Sequence, residues 1–115
     1  MKTYPRQSKE LRESGNYYFG NYGEIPIGVS FAEINESDGE IHDKLHYHIK
    51  SNECYITLEG AWILEVEGKE VPLNKNAMVM VEPNERHRIT KATEAPFRFI
   101  AISTEKDRSD KVVLD

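Results

Sequence analysis

From about residue 16 onward, short apolar-rich runs alternate with clusters of turn residues, the pattern of strands rather than helices. EIPIGVSFAEI (24–34) is β-rich and ends in the polar loop NESDGEIHDK. LHYHI is short and alternating. ECYITLE follows a Ser-Asn break, and Gly60 is expected to turn the chain into a further strand, AWILEVE. EGKE (67–70) reads as a hairpin turn leading to the short VPL. NAMVMVEPNERHRITKA divides at Pro83-Asn84 into two strands, and PFRFIAIST is another. Only QSKELRES, stopped by Gly15, looks like a short helix. The tail after Thr104 begins charged and ends in VVLD, which reads equally as a frayed end or as a strand docked on the surface. Regularly spaced short strands of this kind predict an all-β sandwich or barrel.

Strand side chains alternate, so Glu53, Tyr55 and Thr57 share one face and Cys54, Ile56 and Leu58 the other. If the first face lines an interior, the second is an apolar exterior that something must cover. Trp62, Leu64 and Val66 make a similar stripe on the next strand. A homodimer contact is the expected cover, with two sheets packed inside one monomer as the simpler alternative. NYYFGNYG (16–23) is expected to be an N-terminal strand packed on the barrel rather than an aromatic lid.

Composition narrows the class. At 115 residues the chain supports one domain with a single packed core. A formal charge of −5 without any basic cluster argues against nucleic acid and anionic membranes as partners. No apolar stretch approaches the roughly 20 residues that span a bilayer, and the start MKTYPRQSKELRES shows no secretory signal. Cys54 is the single cysteine, which excludes an internal disulfide and suits a reducing cytoplasm.

The chemistry gathers in two places. His46 and His48, at i and i+2 on a strand, point to one side roughly 6.6 Å apart. Two imidazoles so placed can converge on one ion. Glu53, after the Ile49–Asn52 break, can return on the neighbouring strand and add a carboxylate, and His87 follows the turn EPN. His42 shares a polar loop with Asp43 and is expected at the surface, with a supporting role or that of an alternative ligand as the minority reading. Arg86 and Arg88 flank His87, should point away from it, and are expected in solvent.

These residues resemble the cupin superfamily, as a small single-domain member. Its first motif is a glycine, several residues, H-x-H, three or four residues, a glutamate, six residues and a glycine. Here stand Gly39, His46-Tyr47-His48, Glu53 and Gly60. The second is a glycine, five residues, P-x-G, two residues and a histidine. Here stand Asn76, Glu82-Pro83-Asn84 and His87. Gly39 is one residue farther from the histidines than the motif asks. Asn replaces both glycines of the second motif and Glu82 its proline. Asn tolerates positive φ better than other non-glycine residues, so the turn is kept.

The resemblance implies a double-stranded β-helix, a jelly-roll-like barrel of two antiparallel sheets over residues 25–104. An N-terminal segment (1–24) and a C-terminal tail (105–115) would flank it. It also implies one divalent metal on His46, His48, Glu53 and His87. Three imidazoles and a carboxylate suit Fe, Mn, Ni, Cu or Zn over Ca and Mg. The expected activity is that of a metalloenzyme on a small polar metabolite, of the dioxygenase or the sugar or keto-acid isomerase type, with Tyr55 and Thr57 orienting the substrate. The alternative is a non-catalytic binding or sensing module.

Overall fold

The computed structural model describes residues 1–8, 16–21, 24–34, 41, 43–106 and 110–114. Most of QSKELRES, together with Gly15, Gly39 and His42, lies outside these described residues. Eight strands follow in order: β1 (Asn16–Tyr18), β2 (Gly28–Ile34), β3 (His46–His48), β4 (Glu53–Val66), β5 (Lys69–Asn74), β6 (Met78–Val81), β7 (His87–Ser103) and β8 (Lys111–Val113). All pair antiparallel in one hydrogen-bonded sheet, in the order β1-β2-β7-β3-β8, with β4 joining β5, β6 and β7. The all-β barrel implied by the motifs is present. Its two walls are continuous because β4 and β7 run from one into the other.

The sheet rolls up on itself. In the β4–β7 ladder Glu53 stands opposite Ser103 at one end, and Val66 opposite His87 at the other. A straight strand of this length would part those ends by roughly 40 Å. Yet Glu53 Oε1 and His87 Nε2 are 3.5 Å apart. Register shifts between Thr57 and Leu64 bend and twist the ladder so that its ends meet.

Gly60, expected to end one strand, instead sits inside β4 in the left-handed region at φ 77°. The irregularity around it changes which side chains face inward. Glu53, Tyr55 and Thr57 are buried before it; Trp62 and Leu64, both at 0% exposure, are buried after it. The expected outer stripe of Trp62, Leu64 and Val66 is therefore corrected. Trp62 and Leu64 belong to the core and Val66 packs against it, because the bulge shifts the alternation by one residue.

That core is aromatic. Trp62 stacks on Phe99 with centroids 5.1 Å apart, and Phe97 and Tyr55 close around the pair. The expected hairpin at EGKE forms, with Glu67 (φ 50°) and Gly68 (φ 80°) joining β4 to β5. The tail, of the two readings left open, forms a strand: β8 lies beside β3. The Tyr-rich segment supplies β1, which packs on β2.

The β6–β7 turn holds Asn84 at φ 70°, as its place in the motif requires, and Asn76 has φ 71°. The Asn84 N–H also donates to the His48 carbonyl at 2.7 Å, tying the second motif to the first. Asn84→Gly is expected to be neutral or mildly stabilising, since glycine enters this region without a Cβ penalty. Asn84→Val is expected to cost about 1 kcal/mol or more. Equal thermal melts for the two variants would contradict the turn's dependence on positive φ.

Candidate metal centre

His46 and His48 are two of the three residues of β3, Glu53 opens β4, and His87 opens β7. All four side chains are buried, at 0–3% exposure, and their candidate ligand atoms lie within 4.8 Å of one another. Glu53 bridges the group: Oε2 is 3.5 Å from His48 Nε2, and Oε1 is 3.5 Å from His87 Nε2. The four residues singled out in the sequence thus come together from three strands. Donor atoms this close suit one ion with bonds of about 2.0–2.2 Å.

The tautomers are set by the outer nitrogens. His46 Nδ1 donates to the Lys44 carbonyl at 2.7 Å, and His87 Nδ1 to the Glu85 carbonyl at 2.9 Å. His48 Nδ1 lies 3.4 Å from Asp110 Oδ1. Carbonyl and carboxylate oxygens only accept, so each ring keeps its proton on Nδ1 and turns a lone pair inward on Nε2. His48 Nε2 and His87 Nε2 are fully buried with no hydrogen-bond partner. Orphaned buried acceptors cost free energy, and convergent ones are what a cation satisfies.

Burial pushes His46 down from 6.5 to about 4, helped by His87 nearby and opposed by the bond to the Lys44 carbonyl. Burial also lowers His48, against the pull of Glu53 and Asp110. Neutral imidazoles, as a metal needs, follow at neutral pH. The sign for stability is fixed. Between pH 6.5 and 4 the unfolded chain binds the proton that folded His46 refuses, so stability is full above pH 6.5 and falls below it. Urea titrations of the metal-free protein should show stability falling progressively over that window through His46. His46→Gln should lose correspondingly less. Equal pH profiles for the two proteins would contradict it.

Tyr55 and Thr57 share the inward face with Glu53, and both are buried. The Tyr55 hydroxyl donates to Glu53 Oε1, which puts a phenol against the cluster. The Thr57 hydroxyl accepts from Trp62 Nε1 at 2.7 Å, one step deeper in the barrel. Arg86 and Arg88 are exposed as expected, with Arg88 paired to Glu65. Asp110 carried no signal in the sequence. It belongs to the tail and follows His48 by 62 residues.

The Cupin domain family matches residues 25–103. Among curated proteins, the tetracenomycin polyketide synthase protein TcmJ of Streptomyces glaucescens is 33% identical over 55 residues. That alignment takes in 48% of this chain and 37% of TcmJ, so the chain spans well under half of the relative's length. Among solved structures, a Streptomyces PAC13 variant with uridine superposes with a TM-score of 0.71 at 17% identity, over 99% of this chain and 92% of that one. Pac13, described as a unique nucleoside dehydratase, gives 0.71 at 15% over 99% and 91%. A cupin protein from Bacteroides fragilis gives 0.61 at 19% over 91% and 86%. At these identities the likeness of the solved structures is one of fold.

Proposed function

Since the chain belongs to the cupin family, we propose that His46, His48, Glu53 and His87 hold one divalent transition metal (Fe, Mn, Ni, Cu or Zn), at which a small polar metabolite is turned over. The observation that carries this reading is the pair of buried, unpartnered Nε2 atoms on His48 and His87, which converge on the Glu53 carboxylate. Bound there, the metal would supply Lewis-acid or oxygen-binding chemistry. The residues of the chain do the rest. Tyr55 orients Glu53 through its hydroxyl and stands ready to hold a proton at that oxygen. Trp62, Phe97 and Phe99 fill the barrel below and keep water out of it. A nucleoside-handling neighbour of the same fold supports a polar small-molecule substrate.

The test has two parts. Metal analysis of protein purified from its own cell should return about one ion per chain. Oxalate should then raise the melting temperature through any coordination position left open, because a ligand that binds only the folded state stabilises it. No shift at concentrations too low to strip the metal would favour a closed, structural site. A shift without turnover of keto acids, diketones or sugars would favour a sensing module.

We further propose that two copies associate through the outer face of the sheet. Cross-strand register sets Met80, Cys54 and Ile102 in one row and Met78, Ile56 and Ile100 in the next. Leu58, Met78 and Met80 are exposed. Burying such a face suits a two-fold contact between identical patches. Light scattering should give a dimer mass, and a monomer at high micromolar concentration would contradict it. Among the described residues no helix is long and apolar enough to cross a membrane. The lone cysteine suits a cytoplasmic, reducing setting.

A further inference from the structure

We infer that Asp110, the residue immediately before the C-terminal strand β8 and outside the matched domain, is the positioning residue that orients His48 as a metal ligand; this rests on the metal reading above. His46 and His87 each anchor Nδ1 on the backbone carbonyl two residues upstream, Lys44 and Glu85. His48 takes a carboxylate from the far end of the chain instead.

The sheet fixes that carboxylate in place. β8 runs antiparallel to β3 with His48 opposite Lys111, and the pairing continues at both ends. Ile49 N–H donates to the Asp110 carbonyl at 3.1 Å, and Leu114 N–H to the Leu45 carbonyl at 2.8 Å. The side chain is held as well. Lys50 and Ser51 N–H groups donate to Asp110 Oδ2 at 2.9 and 2.8 Å, which turns Oδ1 towards His48 Nδ1 at 3.4 Å.

One carboxylate therefore does two jobs. It caps the Ile49–Asn52 segment that separates His48 from Glu53, and it keeps the His48 proton on Nδ1 so that the Nε2 lone pair faces the cluster. Partners that orient a histidine in this way typically change metal affinity about 10–100-fold when replaced.

Asp110→Asn separates the two jobs. The amide oxygen can still accept from Lys50 and Ser51, so the segment stays capped. Its NH2 then faces Nδ1 and can only donate, which drives the His48 proton to Nε2. Three measurements on the full chain decide the matter: melting of the metal-free protein, the His48 tautomer by imidazole nitrogen NMR, and the zinc dissociation constant by chelator competition. The expected result is nearly unchanged melting, a switch from Nδ1–H to Nε2–H, and zinc affinity about 10–100-fold weaker. Asp110→Ala should lose affinity and also melt lower. An unchanged tautomer with zinc affinity within twofold of wild type would overturn the inference. If the wild-type protein binds no zinc, iron, manganese, nickel or copper while Asp110→Asn still switches the His48 tautomer, the metal reading is overturned and the positioning of His48 stands.

Discussion

Replacing His87 by alanine is expected to weaken metal binding at least a hundredfold and to empty the purified protein. Four-ligand zinc sites bind with about 10–16 kcal/mol, so each ligand supplies roughly 3 kcal/mol, or two orders of magnitude in affinity. His87 has little room for a substitute. It is fully buried, and Glu53 is within 3.5 Å of its Nε2. His48→Ala should behave in the same way, because its Nε2 stands 3.5 Å from the other oxygen of Glu53. His42→Ala, on the sequence argument that His42 is a surface loop residue, should leave occupancy nearly unchanged. Metal content by mass spectrometry and affinity by chelator competition check all three. Loss in His42→Ala with retention in His87→Ala would mean that the loop, and not the second motif, supplies a ligand.

Three of the candidate ligands, His46, His48 and Glu53, were legible because their signals are local; His87 joined them through the motif resemblance. An H-x-H pair needs only strand alternation to share a side, and Glu53 needs only a short break to return beside it. The same alternation correctly set Tyr55 and Thr57 on the face of Glu53. Asn84 was legible for a similar reason, since a turn that calls for positive φ leaves a mark on residue choice. Trp62 and Leu64 were misread because alternation carries no record of a bulge. One extra residue at Gly60 exchanges inside for outside for everything that follows. Nor does local pattern record the rolling of β4 and β7, which brings His87 back to Glu53. Asp110 was invisible for the opposite reason. Its role depends wholly on which strand β8 pairs with, and a long-range pairing leaves no spacing to read.

Gly60→Ala should be the most damaging glycine-to-alanine change among the described residues, costing roughly 2–5 kcal/mol. Two penalties add at this position. At φ 77° a side chain is strained by about 1–2 kcal/mol. The added Cβ would also run into the Pro96 carbonyl oxygen, and it would lie 2.5 Å from the Glu94 oxygen and 2.9 Å from Phe97 Cα. These are backbone atoms of β7 and cannot swing aside, so relief means parting the ladder, at a further 1–3 kcal/mol or so. Gly68→Ala is the internal control. Its φ of 80° is the same, but nothing stands within 4 Å of the new methyl, so strain alone applies, about 1–2 kcal/mol. For a domain of this size each kcal/mol lowers the melting temperature by about 4 °C. Gly60→Ala should therefore melt roughly 4–12 °C below Gly68→Ala, or fail to fold. Parting β4 from β7 at their midpoint also loosens the roll that brings Glu53 to His87, so whatever folds should hold metal more weakly than Gly68→Ala does. Matching melts and matching metal affinities for the two variants would show that the close approach at Gly60 does not hold the barrel closed.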